Sequence, residues 1–227
     1  MIYILIAGFT LFVLLGPSMW ANSIIRKFHK TDTSLQGTGG ELVEHLIERF
    51  QLEGVSLEET ESGDHYDPES KCVRLSKENL EGRSITSVAI AAHEVGHAIQ
   101  DFQSYKPLQA RSQWVKKAQA LEKLGSATAL IAPFVLMLSK SPIIIALMAV
   151  SALSSMLVLT IVHLITLPVE FDASFGKALP VLEKGEYLTP DQLESAKKIL
   201  LACALTYVAQ SLASLLNIGR WLAILRR

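Results

Sequence analysis

Apolar residues along the chain gather into four long runs with almost no charge, at 1–21, 124–139, 142–167 and 199–219. About 20 consecutive apolar residues suffice to cross a bilayer as a helix, so the pattern predicts about four transmembrane helices. The first run carries no charge, and Arg26, Lys27 and Lys30 follow it. A cleaved leader wants positive charge before its apolar run and a small-x-small site after it. Met19 stands in the wrong place for such a site, so an uncleaved anchor is expected. The second and third runs form a hairpin through Lys140-Ser141-Pro142; Pro133 shortens or kinks the second, and His163 is the single ionisable residue of the third. In the fourth run Thr206, Tyr207, Gln210, Ser211, Ser214 and Asn217 make one helical stripe. That stripe should face other helices or a wet cavity, or else mark a helix lying in the membrane interface.

The polar segments between these runs have their own periodicities. Thr38 followed by Glu41 is a capping-box pattern, opening a helix whose Val43, Leu46, Ile47 and Phe50 share a face and which Gly54 closes. Val55 and Leu57 alternate with polar residues, Ser62-Gly63-Asp64 signals a turn, and Lys71 to Ser76 reads as a strand. A longer helix, about Thr86 to Tyr105, follows, with Pro107 just beyond its end. The expected fold is therefore a mostly α membrane protein with a small α+β lobe. Its parts are an anchor (1–22), the lobe (23–123), a transmembrane hairpin (124–167), a second polar segment (168–198) and a last spanning or interfacial helix (199–225).

Charge adds a sidedness to this picture. Lys and Arg accumulate on the cytoplasmic side of spans. Arg26, Lys27 and Lys30 after the first run, and Arg111, Lys116, Lys117 and Lys123 before the second, put the lobe in the cytoplasm. Lys177, Lys184, Lys197 and Lys198 put 168–198 on the same side, whereas Arg220, Arg226 and Arg227 conflict with a fourth span. The expected location is a membrane that the chain crosses several times, with the lipid bilayer as one partner. Over all 227 residues, 21 basic side chains face 22 acidic ones, so bulk charge points to no nucleic-acid partner. Two cysteines in unrelated contexts, Cys72 and Cys203, are no disulfide framework.

The candidate chemistry sits in His93-Glu94-Val95-Gly96-His97. Residues four apart on a helix lie one turn apart on the same face, so two imidazoles can grip one zinc ion. The Glu beside the first His then reaches the water on that zinc, whose pKa the metal lowers towards about 7. At about 100° per residue, Val88, Ala92, Val95, Ile99 and Phe102 form an apolar stripe opposite His93 and His97. Ala89 and Gly96 flank the ligand face, where small residues would leave room for metal and substrate.

A catalytic zinc wants a third protein ligand and one open position. Glu170, just past the third apolar run, is the leading candidate; Asp172 and Asp101 are rivals, and His163 is a remote one. His45 reads as solvated surface and His29 as a juxtamembrane residue. His65 and Tyr66, in Asp64-His65-Tyr66-Asp67-Pro68, read either as turn chemistry or as donors to a tetrahedral intermediate. The rival to a peptidase is a non-catalytic membrane scaffold or chaperone subunit with a structural zinc. Such sites normally close with four protein ligands, and no fourth candidate is obvious.

Asp64 to Pro68, Val73-Arg74-Leu75-Ser76 and Ala91 to Gln100 together resemble the bacterial YugP-type membrane zinc metallopeptidases. Tyr105, Pro107-Leu108 and Arg111, then Leu167 to Phe171, then Ala204 to Val208 extend the resemblance over nearly the whole chain. It implies a neutral zinc peptidase of prokaryotic membranes acting on protein or peptide substrates, with Tyr207 among its further candidate support residues. A more distant similarity links the chain to HtpX-like and CAAX prenyl proteases. In those a Glu-x-x-Ala-Asp motif supplies the third ligand, which implies Glu170, with Glu94 as the catalytic base and His93 and His97 as the other ligands. Ser174 stands where those relatives have an Asp that steadies a zinc histidine, which leaves that partner unassigned, with Asp172 a possible substitute. The same analogy makes the strand of Cys72, Val73 and Arg74 an active-site edge that binds an extended peptide.

Overall fold

A computed structural model describes residues 2–138 and 141–206. The chain is mainly helical: α1 (Ile2–Lys27), α2 (Gly39–Arg49), α3 (Lys77–Leu80), α4 (Ile85–Phe102), α5 (Lys106–Leu138), α6 (Pro142–Phe171), α7 (Leu179–Lys184) and α8 (190–206). A π-helical segment, Asp172–Ala178, joins α6 to α7. Three short strands, β1 (Ser56–Glu59), β2 (His65–Asp67) and β3 (Cys72–Leu75), lie between α2 and α3.

Local chemistry sets several element ends. Thr38 caps α2 reciprocally: its hydroxyl accepts from the Glu41 N–H at 3.2 Å, and Glu41 accepts from the Thr38 N–H at 2.7 Å. Ser84 caps α4 by accepting from the Ser87 N–H at 3.0 Å. Asp64 ties the start of β2 to α3, accepting from the Ser76 N–H at 2.7 Å and the Asn79 amide at 2.7 Å.

Helix α4 is the centre of the molecule. Every residue from Thr86 to Gln100 is buried, because α2, the sheet, the π segment and α8 cover it from several sides. Val43 and Leu46 of α2, Val73 and Leu75 of β3, Val95 of α4, Leu182 of α7 and Ile199 and Leu200 of α8 form one apolar cluster. Each fully buried side chain of this kind contributes roughly 1.5–3 kcal/mol from removal of apolar surface from water. The anticipated two-faced α4 is thus corrected to a helix enclosed nearly all round, its stripe ending before Phe102, which is exposed.

The sheet order is β1-β3-β2, with β1 parallel and β2 antiparallel to β3. Val73 pairs with Leu57 on one side and Tyr66 on the other. The strand expected at an edge is therefore the central one. The edges are β1 and β2, a result of β1 reaching past β2 to pair with a strand later in sequence.

The transmembrane architecture is also corrected. Among the described residues, no helix is long and apolar enough to cross a membrane. The apolar runs are absorbed differently: α5 begins at Lys106 and joins charged residues to the second run, and Ser151, Ser154, Thr160 and Thr166 interrupt α6. The Thr166 and Ser154 hydroxyls turn back onto the carbonyls of Val162 and Val150. Helix α8 begins before the fourth run, and Ala196, Ile199, Leu200, Ala202 and Ala204 are buried. The remainder of that run, from residue 207, lies outside the described residues. The sidedness inferred from Lys and Arg rested on those spans and loses its footing with them. The α5–α6 hairpin nevertheless leaves Phe134, Met137, Leu138, Ile143 and Leu147 exposed.

Candidate metal centre

The site is built from α4, the last turn of α6 and the π segment. His93 and His97 stand one turn apart on α4, ring centroids 4.8 Å apart and planes inclined at 78°. Glu170 enters from the end of α6, where its Oε2 lies 3.3 Å from His93 Nε2 and 3.4 Å from His97 Nε2. All three are buried, and their ligand atoms lie within 4.8 Å of one another, a group that could hold a metal ion.

Hydrogen bonds behind the rings fix which nitrogen carries the proton. The Ser174 hydroxyl donates to the Leu200 carbonyl at 3.3 Å, so at 3.1 Å it accepts from His93 Nδ1–H. The Gln100 amide donates to the Val169 carbonyl at 2.9 Å and to Asp172 Oδ2 at 2.8 Å, and its Oε1 accepts from His97 Nδ1–H at 3.0 Å. With both Nδ1 atoms protonated, both Nε2 lone pairs face Glu170. Three acceptors converging this closely repel unless a proton or a cation stands among them. Neither carboxylate oxygen of buried Glu170 has a hydrogen-bond partner among the described residues. Arg111 Nη1 stands 3.4 Å from Oε1, too far for a strong hydrogen bond, so the desolvation of this carboxylate is only partly offset, and a bound dication would offset it further. The residues therefore fit zinc, through two imidazole nitrogens and one carboxylate oxygen.

Backbone packing delivers Glu170. The π segment widens the helix immediately beyond it, a deformation common at functional sites, and lays Ala173 directly on α4. A Cβ added at Gly96 would stand 2.7 Å from the Ala173 carbonyl oxygen. Gly96 thus admits the π segment rather than leaving space for substrate, which corrects the expectation from its size alone.

Glu94 is buried beside the two histidines. Burial pushes its carboxyl up to about 7, opposed by His93 and by a main-chain hydrogen bond from Tyr66, and reinforced by Glu170. Burial acts upward on Glu170 too, but His97 and His93, with a proton on Nε2 in place of a metal cation, outweigh it and hold that carboxyl well below the usual range.

The other expected participants are dispersed. Asp101 accepts the Tyr66 hydroxyl at 2.9 Å and lies outside the metal group. Asp172 stands one step back, reaching His97 through Gln100. Tyr66 lines a cavity of about 310 Å³ with His97, Leu108 and Arg111. His65 instead donates from Nδ1 to the Gly63 carbonyl at 2.8 Å, a turn contact. Cys72 and Val73 are buried, and Arg74 pairs with Glu58 at 2.9 Å and Asp67 at 3.0 Å. Both cysteines are free. His29 is tied to Glu78 and Ser84, and His45 meets the Tyr187 hydroxyl at 2.8 Å. Tyr207 lies outside the described residues. Sequence reasoning passed over Gln100, although its position three residues after His97 shares that face.

A helix buried along most of its length and carrying two imidazoles, closed over by a carboxylate from a distant helix end, defines a metalloprotein of mainly α architecture. The model of the family described as "Putative neutral zinc metallopeptidase" matches residues 2–226, and the chain belongs to that family. It is also similar to "Putative membrane protease YugP" of Bacillus subtilis (strain 168), with 34% identity over 216 residues covering 92% of each chain. No solved structure matches the chain.

Proposed function

We propose that the chain is a zinc-dependent endopeptidase in which His93, His97 and Glu170 hold the metal and Glu94 is the general base. The observation that carries this reading is the buried Glu94 carboxyl beside a converging set of two imidazoles and a carboxylate whose oxygens accept no hydrogen bond among the described residues. Zinc at such a site supplies a Lewis acid that makes a water molecule nucleophilic near neutral pH. Glu94 takes a proton from the attacking water and afterwards returns it to the leaving amine. In the metal-free site burial raises this carboxyl to about 7, and a bound dication would oppose that rise. Ser174 and Gln100 keep both imidazoles in the tautomer whose Nε2 is free. The metal group counts three protein donors among the described residues, which suits a catalytic site better than a closed structural one.

The strand edge nearest the site is β2, whose Tyr66 reaches both the cavity and Glu94. An extended peptide could add to that edge by main-chain hydrogen bonds, with little dependence on its side chains. The large apolar side chains left exposed on the α5–α6 hairpin support work at a lipid surface, in keeping with the name of the Bacillus relative as a membrane protease. The active site would then act on membrane-associated proteins.

The test compares wild type with Glu94→Gln for bound zinc and casein cleavage. Zinc should be retained by both and cleavage abolished in the variant. Cleavage by Glu94→Gln at the wild-type rate would sink the assignment.

A further inference from the structure

Arg111, on α5, reaches the metal group from the solvent side. Its Nη1 lies 3.4 Å from Glu170 Oε1, the carboxylate oxygen turned away from the two imidazoles. That separation is long for a charge-assisted hydrogen bond, which runs about 2.7–2.9 Å. The guanidinium has five N–H donors, and this ion pair is its one recorded polar contact among the described residues. Its side chain is 27% exposed and lines the 310 Å³ cavity that also reaches His97 and Tyr66. The other charges on that cavity are already engaged: Lys116 pairs with Glu69 at 2.7 Å, and Asp67 with Arg74 at 3.0 Å.

Charge balance changes once a dication shares Glu170. The carboxylate that now balances Arg111 would be neutralised by the metal, leaving a positive fork with unused donors facing the cavity. We propose that Arg111 binds a substrate oxygen there, the carbonyl or terminal carboxylate of a peptide seated beside His97. This rests on the peptidase reading and makes Arg111 a determinant of substrate binding within it. Planar N–H pairs match such oxygens in a way a lysine ammonium does not.

The experiment measures peptide binding without turnover. Zinc-loaded Glu94→Gln is titrated with a fluorescein-labelled casein decapeptide, as free acid and as C-terminal amide, and compared with Glu94→Gln/Arg111→Ala and Glu94→Gln/Arg111→Lys. Zinc content is determined for all three. The expected result is a tenfold or greater loss of affinity in the Ala variant, partial recovery in the Lys variant, and unchanged zinc. Equal loss with both peptides identifies a main-chain carbonyl as the partner; loss confined to the free acid identifies the terminal carboxylate. Unchanged affinity in the Ala variant overturns the proposal. So does zinc lost in parallel with affinity, because Arg111 would then merely position Glu170. If zinc-loaded Glu94→Gln binds neither peptide and wild type cleaves none, the peptidase reading fails and this inference with it.

Discussion

The hydroxyl of Ser174 accepts from His93 Nδ1–H at 3.1 Å while giving its own hydrogen to the Leu200 carbonyl. One small side chain thereby joins the ligand helix α4, the π segment and α8, and leaves His93 Nε2 free to face Glu170. A carboxylate in this position would hold the ring more strongly; a hydroxyl does so without adding charge to a buried site that already holds Glu94 and Glu170.

Ser174→Ala should preserve the fold and weaken zinc. The substitution strands the buried His93 Nδ1–H, a cost of about 1–3 kcal/mol. Loss of a partner behind a ligating histidine typically lowers metal affinity roughly 10- to 100-fold. Competition against a chromogenic chelator should show a drop of that size with an unchanged circular dichroism spectrum. Wild-type zinc affinity in the variant would mean the Ser174 contact is incidental.

Asp172 and Glu170 should separate cleanly. Asp172 accepts from Gln100, which in turn holds His97, so Asp172→Asn retains an acceptor oxygen and should bind zinc within a fewfold of wild type. Glu170→Ala removes a ligand atom and should bind little zinc at all. Gln100→Leu, similar in size but without hydrogen-bonding capacity, should fall between them, at roughly tenfold weaker binding. Metal analysis after dialysis ranks the three; a larger loss in Asp172→Asn than in Glu170→Ala would reverse the assignment of ligand and relay.

How far these roles could be read from sequence depends on how local their causes are. The capping box of Thr38 and Glu41 and the His93–His97 spacing involve contacts within one turn, and the chain displays them openly. Glu170 leads Asp172 and Asp101 by its place just past the third apolar run, and likeness to other proteins strengthens it. Cys72, Val73 and Arg74 were misassigned to an edge because strand order depends on β1 pairing with β3 across the intervening β2. The apolar runs were read as spans because run length carries no information on what packs against it. Ile199 and Leu200, for example, belong to the same buried cluster as Val73 and Val95. Ser174 and Gln100 became interpretable only when the π segment brought its residues against α4.

Gly96→Ala should disturb the centre without touching a ligand. The new methyl would press on the Ala173 carbonyl at 2.7 Å, a contact with backbone that cannot swing aside. Overpacking of this sort costs about 1–3 kcal/mol, partly offset by the better helix propensity of alanine. Melting temperature and zinc content should both fall as the π segment and Glu170 are pushed from α4. Gly8→Ala in α1, where a Cβ meets nothing within 4 Å, serves as the control: it gains helix propensity without a clash and should leave zinc content unchanged without lowering the melting temperature.

Glu94 should couple zinc binding to proton release. In the metal-free protein burial raises its carboxyl from the ordinary 4.5 to about 7, so between those values the folded state holds a proton that the unfolded state has lost. A group with a raised folded pKa contributes its stability below the unfolded value and loses it as pH rises through the folded one. The metal-free wild type should therefore lose stability relative to Glu94→Gln as pH rises from about 4.5 to 7, by roughly 3 kcal/mol. A dication in the site favours the charged carboxylate, so zinc must displace that proton, and wild-type affinity should climb with pH through the same window. Calorimetric titration at pH 6 in buffers of different ionisation enthalpy should find about one more proton released by wild type than by Glu94→Gln. Equal proton release by the two proteins would remove Glu94 from the immediate surroundings of the metal.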